Sequence, residues 1–192
     1  MNIKQKILRH LIENREKTFS INGIARALKI DYKLIYTNVQ RLAKEETIKV
    51  EDFGNTKRCS FKDIFNEDVF IVETDRKNGL LKNKDFAVIY NWLGEINKQF
   101  ILLLFGSHAK GTAIKHSDID LLLISTEEDS RIIQNKIDLI PVNIHLTPVS
   151  YEGFIGMLKS KEFTVVSEAI KNNIILFGLE DYYRFIANSK KP

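Results

Sequence analysis

The chain contains a single cysteine, Cys59, so no internal disulfide can form and no second thiol exists to complete a cysteine zinc site. That residue is expected to be small packing material, buried or half-buried. Long hydrophobic runs are also missing: none approaches the roughly 20 apolar residues a membrane helix needs, so no membrane partner is expected. The first segment, Met1 to Lys17, is amphipathic and charged rather than signal-like, and the expectation is a cytoplasmic protein. There is no internal repeat and no low-complexity stretch. What remains is 192 residues, 44% hydrophobic and 28% charged, enough for one large domain or two small ones with a buried core.

Net charge is modest, at +4, but unevenly placed. Met1 to Lys62 holds 14 basic and 7 acidic residues, an excess of seven positive charges, whereas the remaining 15 basic and 18 acidic residues leave an excess of three negative ones. A basic first third favours a polyanionic partner; a solvated basic face is the plainer alternative.

In that first third, Ile3, Ile7, Leu8, Leu11 and Ile12 recur at helical spacing and predict an amphipathic helix ending near Asn14. Ser20 is a suitable N-cap for a second helix carrying Ile21, Ile24, Ala25 and Leu28. Asp31 caps a third, Tyr32 to about Glu45, that buries Ile35, Val39 and Leu42. Its outward residues include Tyr32, Lys33, Tyr36, Thr37, Asn38, Gln40, Arg41 and Lys44. Only Lys29 to Asp31 separate the second and third helices, which is helix-turn-helix spacing. Ile48 to Val50 and Cys59 to Phe61 then flank the turn pair Gly54-Asn55, predicting a β-hairpin with Lys57 and Arg58 near its tip.

Three helices and a basic hairpin resemble the winged helix-turn-helix family over about sixty residues, a resemblance of pattern rather than of fixed residues. It implies a duplex DNA partner, with Lys33, Tyr36, Thr37, Asn38, Gln40, Arg41 and Lys44 facing the major groove and Lys57 and Arg58 contacting phosphate. Winged helices also serve as protein adaptors. A homodimer reading a palindrome is compatible with such a module, though nothing in the sequence requires one.

Residues 64–84 mix a short apolar run, Phe70-Ile71-Val72, with a charged stretch, and read as an interdomain connection. Phe86, Ile89, Tyr90, Leu93 and Ile96 predict a helix from Asp85 to about Lys98, with Trp92 as packing area.

The most informative stretch runs from Ile101 to Ser125. Leu102 to Phe105 predicts a buried strand; Gly106 allows a turn without a Cβ, and Ser107 starts a short helix whose free N–H groups suit phosphate oxygens. Lys110 adds positive charge or lies on a solvated face, and Gly111 is a second permissive backbone position. Asp118 and Asp120 lie two apart at the head of a second strand, so both carboxylates leave one face while Ile119 and Leu121 leave the other. Two carboxylates beside an anion site can hold Mg²⁺ against a triphosphate.

Gly106, Ser107, Gly111, Ser117, Asp118 and Asp120 together resemble the nucleotidyltransferase superfamily that includes DNA polymerase beta, most similarly its minimal archaeal and bacterial members. The resemblance implies a mixed β-sheet with helices on one side and transfer of a nucleoside monophosphate from a nucleoside triphosphate such as ATP to an acceptor hydroxyl. It implies Gly106, Ser107, Lys110 and Ser117 on the nucleotide and Asp118 and Asp120 as catalytic ligands of Mg²⁺. The acceptor can be a protein hydroxyl, as in members acting as antitoxins toward a toxin partner.

Active members place a third carboxylate on a following strand. The next strand here is Val142 to Leu146, where period two puts Asn143 and His145 on one face and neither is acidic. Asp138 is expected at the preceding helix end and Glu152 in a following helix. His145, as an imidazole, can accept a proton at neutral pH, or it is simply a strand residue. His108 and His116 flank the phosphate turn.

Beyond it, Phe154, Met157 and Leu158 suggest one helix, Val165 to Ile170 another, Asn173 to Phe177 a strand ended by Gly178, and Tyr182, Phe185 and Ile186 a final helix before a frayed basic tail, Lys190 to Pro192.

The expected architecture is α+β: a winged helix-turn-helix domain over 1–63, a connection over 64–84, and a nucleotidyltransferase-fold domain over 85–192. Two functions fit. One is a magnesium-dependent transferase joined to a DNA-binding module. The other is a DNA-binding regulator or antitoxin whose transferase-like domain holds nucleotide or a partner without turnover.

Overall fold

The computed structural model describes residues 1–160 and 162–189; the tail expected to fray lies outside them. The chain divides into two compact units, Met1–Thr74 and Asp75–Pro192. Among the described residues no helix is long and apolar enough to cross a membrane.

In the first unit, helix α1 (Ile3–Ile12) opens with a capping box in which Asn2 and Gln5 satisfy each other's backbone N–H. Strand β1 (Phe19–Ser20) leads into α2 (Ile21–Leu28), where the Ser20 hydroxyl accepts from the Gly23 N–H at 2.9 Å. Lys29 adopts φ 55° and ends α2 in the left-handed region. Asp31 then caps α3 (Tyr32–Lys44) by accepting from the Lys33 and Leu34 N–H groups. Strands β2 (Ile48–Phe53) and β3 (Thr56–Phe61) form the hairpin, and the sheet order is β1-β3-β2. The paired strands are longer than the apolar runs suggested because the hairpin ladder runs out to Phe53↔Thr56. Ile7, Leu8, Leu11, Ile24, Ile35, Val39 and Leu42 are buried and hold the helices together, and Cys59, in the middle of β3, is buried with them.

The division between units falls within a helix, α4 (Glu67–Leu80), where the sequence suggested only a connection. The reason is legible afterwards. Its buried residues, Val69, Val72, Glu73 and Arg76, keep helical i, i+3, i+4, i+7 spacing, but two of the four are charged, while Phe70 and Ile71 face solvent. Apolar periodicity was therefore scrambled although the burial period is regular. The burial is possible because each charge is partnered. Glu73 accepts from Arg15 at 2.9 Å, and Arg15 also reaches Asp63 at 2.8 Å. Arg76 donates to the Asn173 carbonyl at 2.6 Å.

The second unit contains α5 (Lys84–Gly94), capped by Asn83. It then has β4 (Ile101–Leu104), α6 (Gly106–Lys110), β5 (Ile119–Ile124) and α7 (Glu127–Ile137). The chain continues through β6 (Ile144–Val149), α8 (Tyr151–Lys159), α9 (Val165–Lys171), β7 (Ile174–Phe177) and α10 (Leu179–Ser189). The sheet order is β6-β5-β4-β7, parallel between β5 and β6 and antiparallel elsewhere, so it is mixed as expected.

Coverage on one side alone does not hold. Phe86, Ile89 and Leu93 of α5 and Ile133 and Ile137 of α7 pack on Leu102, Leu104, Leu121 and Leu123. Ile101, Leu103, Leu122 and Ile124 on the opposite face are equally buried, and α10 packs against β4. Strands that are apolar at every position need cover on both faces, and α10, with Tyr182 and Tyr183 both buried, packs against β4. Gly178, at φ 73°, has no room for a side chain: a Cβ there would lie 2.7 Å from the Phe100 carbonyl oxygen. Trp92, expected as packing area, is 38% exposed, and α5 ends at Gly94, so Ile96 falls beyond the helix.

Candidate active site

The site is built where β4 and β5 run side by side. Their ladder closes at Leu104↔Leu121, and the Phe105 N–H donates to the Asp120 carbonyl at 3.0 Å, so the turn after β4 is tied to the head of β5. Gly106 follows at φ 68°, and a Cβ built on it would lie 2.2 Å from Asp120 Oδ2. The missing side chain is therefore the space in which the carboxylate sits. Helix α6 starts at this glycine without a side-chain cap, whereas Asn2, Ser20, Asp31, Asn83, Thr126, Ser150 and Thr164 each cap their helices. Among the described residues no side chain caps its first N–H groups.

Asp118 and Asp120 leave one face of β5 as period two requires. Asp118 is exposed and Asp120 partly so. The loop before them is pinned from two sides. The Ser117 hydroxyl accepts from the Ile114 N–H at 2.9 Å, and its carbonyl lies 3.1 Å from His108 Nε2. His108 itself packs edge-on against Phe86 with ring centroids 5.4 Å apart. Thus His108, which in sequence only flanked the turn, joins α6 to the loop that presents the carboxylates. Nothing local signals this role, because the two partners lie nine residues apart. His116 is exposed.

The neighbouring strand decides the chemistry of the third position. In the parallel β5/β6 ladder Asp120 pairs with His145, and Ile119 with Ile144. Asn143 donates its amide to the Asp118 carboxylate, and His145 Nδ1 stands 3.5 Å from Asp120 Oδ1 with 69% of its side chain exposed. The expected strand from Val142 begins only at Ile144, so the groups beside the acidic pair are the amide of Asn143, just before β6, and the imidazole of His145 on it. Among the described residues no group of three His, Cys, Asp or Glu is placed to hold a metal ion. Asp138 caps the C-terminus of α7, and Glu152 lies in the first turn of α8.

Lys110 lies on the far end of α6, where it pairs with Glu168 of α9 at 3.2 Å, a contact across 58 residues of sequence that no motif announces. A cleft of about 490 Å³ lined by Ser125, Ser130, Arg131 and Val149 lies at the other end of the strands. Five residues of strand, at about 3.3 Å each, separate Asp120 from Ser125, so that cleft adjoins none of the acidic pair.

In the first unit, Lys33, Tyr36, Thr37, Gln40, Arg41 and Lys44 are exposed on α3, as are Lys57 and Arg58 on β3. Asn38 is half-buried and donates its amide to the Leu34 carbonyl at 2.8 Å, and the Thr37 hydroxyl donates to the Lys33 carbonyl at 2.9 Å. Lys57 pairs with Asp52 at 2.9 Å, and the Arg58 guanidinium lies 3.3 Å over the Phe53 ring.

Residues 89–176 match the family model of the nucleotidyltransferase domain, a range that spans the Gly106 turn, the acidic pair and strands β4 to β6. That segment, a little under half of the chain, is therefore similar to nucleotidyltransferase domains. Curated protein sequences give no match to the chain. Among solved structures, the crystal structure of a toxin-antitoxin with AMP-PNP aligns at 17% identity and a TM-score of 0.38, over 56% of this chain and 84% of that one, too loosely to carry an argument.

Proposed function

We propose that the second unit binds a nucleoside triphosphate with Mg²⁺ and transfers its nucleoside monophosphate to an acceptor hydroxyl, and that the first unit is a winged helix-turn-helix module that binds duplex DNA. The observation that carries the enzymatic reading is the contact of Gly106 with Asp120, which puts the uncapped helix start directly against a carboxylate. Phosphate oxygens held at the one would meet a cation held at the other.

The donor set fits magnesium, which is usually bound through one or two carboxylates and completed by substrate phosphates and water. Asp118 and Asp120 would hold it, and bound there it would neutralise charge developing on the phosphates. The protein's own groups do the positioning. The N–H groups at Gly106 and Ser107 orient the phosphates, and His108 holds the loop that aims the acidic pair. The acceptor oxygen forms its bond to the α-phosphorus as the bond to the β-phosphate oxygen breaks, pyrophosphate leaves, and the acceptor proton passes to His145 or to solvent.

A second reading, that of a regulator or antitoxin that binds nucleotide or a partner protein without turnover, is favoured by one specific observation. Asn143, immediately before the strand on which a third carboxylate would be needed, donates its amide to Asp118. The two readings separate on incubation with labelled ATP, CTP, GTP and UTP, magnesium and cell extract. Label transfer abolished by Asp118→Ala with Asp120→Ala supports the transferase. Transfer that survives both substitutions sinks the assigned mechanism. Nucleotide binding without transfer supports the regulator.

Support for the DNA module comes from the basic excess of the first third, the capped helix pair α2 and α3, and the exposed polar face of α3. Binding to duplexes should weaken with salt and with Arg41→Ala. Salt-independent binding counts against it.

A further inference from the structure

The face that α3 turns outward is less polar than its sequence suggests. Its buried stripe is Ile35, Val39 and Leu42. With about 100° between successive residues, Thr37, Lys33 and Lys44 lie opposite that stripe, Tyr36 and Gln40 flank them on one side, and Arg41 on the other. Thr37 therefore stands near the centre of the outward face, in the middle of a helix of 13 residues. Its hydroxyl hydrogen is spent on the Lys33 carbonyl at 2.9 Å, so it has no donor left to offer a base edge, only its methyl and the acceptor side of its oxygen. Next to it, the Tyr36 ring is 41% exposed and stacks on Tyr32, with centroids 6.2 Å apart. Asn38, the amide that could have read an adenine edge, is turned to its own helix.

We infer that Thr37 is a specificity-determining contact that reads the 5-methyl group of thymine in the major groove through its own methyl, with the Tyr36 ring beside it. This rests on the reading of the first unit as a DNA-binding module. Thymine is the base that carries a methyl in the major groove, and an apolar side chain at the centre of a recognition face discriminates it without a hydrogen bond. Lys33 and Lys44 supply charge to phosphate on either side, which positions the helix but carries no sequence information. Gln40 and Arg41 remain as the polar readers of flanking bases.

The test uses the full chain. Duplexes are selected from a random pool, and the enriched sequence is then prepared with thymine and with uracil, which lacks only that methyl. One methyl-sized contact corresponds to about a fourfold change in affinity, so the uracil duplex should bind about fourfold more weakly. Thr37→Val keeps a methyl and loses the hydroxyl, and should retain the thymine preference; Thr37→Ser keeps the hydroxyl and loses the methyl, and should abolish it. Both are substitutions at an exposed helix position, and circular dichroism establishes that each variant is folded. Equal binding of the two duplexes by the unsubstituted protein, or a preference that survives in Thr37→Ser, overturns the inference while leaving DNA binding in place. Failure to enrich any duplex overturns both.

Discussion

Replacing Gly106 by alanine, compared with the same change at Gly111, isolates the contact on which the active-site reading rests. Both glycines adopt nearly the same left-handed backbone, φ 68° and 69°, so both alanines pay the same conformational cost, of order 1 to 2 kcal/mol. They differ in what the new methyl meets: nothing within 4 Å at Gly111, but Asp120 Oδ2 at 2.2 Å at Gly106. An overlap of that size must be relieved. If backbone shifts relieve it, the added destabilisation is about 1 to 3 kcal/mol, the usual range for an overpacked site. If the Asp120 side chain swings away, the added stability loss is small, but the carboxylate leaves the helix start and binding suffers. In either case Gly106→Ala is worse than Gly111→Ala in the sum of the two effects. Urea unfolding measures the first, and calorimetric titration with nucleotide and Mg²⁺ or Mn²⁺ the second. Expected is a Gly111→Ala protein that is modestly destabilised and binds normally, and a Gly106→Ala protein that has lost roughly tenfold or more in affinity, about 1.4 kcal/mol, or unfolds at distinctly lower urea. Indistinguishable behaviour of the two variants in both measurements would refute the packing of Asp120 into the glycine's space.

Other expectations follow from the first unit. Glu73→Ala leaves the Arg15 guanidinium with one fewer buried partner, and urea unfolding should show a loss of about 3 kcal/mol or more; a loss below about 1 kcal/mol would show that Asp63 suffices. His10 is held below its ordinary value of about 6.5 by burial, while Glu13 pulls it up and Lys17 down, and its Nε2 has no hydrogen-bond partner among the described residues. The unfolded chain therefore binds that proton more readily, so His10 contributes stability above about pH 6.5 that is lost as pH falls below it. Thermal unfolding from pH 7.5 to 5.5 should be flatter in His10→Leu than in the unsubstituted chain, and equal slopes would rule the group out. Burial pushes the Cys59 thiol up to about 11, so a thiol reagent at pH 8 should label the native protein far more slowly than the protein in denaturant. Comparable rates would mean that the hairpin opens readily.

Much of the fold was readable because its causes are local. Ser20 and Asp31 cap their helices as their side chains and positions suggest, and the spacing of Ile35, Val39 and Leu42 set the buried face of α3. The acidic pair and the glycine turn were readable for the same reason, since a two-residue period and a missing Cβ act within a few residues. Strand β1 was not, being two residues that become a strand only by pairing with Cys59 and Arg58. Helix α4 was not either, because its buried charges are tolerable only once Arg15, Asp63 and the Asn173 carbonyl have been brought to them.

By itself, then, the amino-acid sequence determined which residues are candidates for the site: the turn at Gly106 and Ser107, the pair Asp118 and Asp120, and Asn143 and His145 two apart at the start of a later strand. Tertiary structure alone decided who stands beside whom. Strand order and register put Asn143 on Asp118 and His145 next to Asp120, packing set Asp120 into the space of the Gly106 side chain, and folding drew Lys110 to Glu168 and His108 to the loop before the acidic pair. The physical reason is range. Periodicity, caps and backbone permission act over a few residues, whereas the surroundings of the acidic pair are an arrangement of charges between strands, and its neighbours are chosen by the register of a sheet whose pairing no single segment encodes.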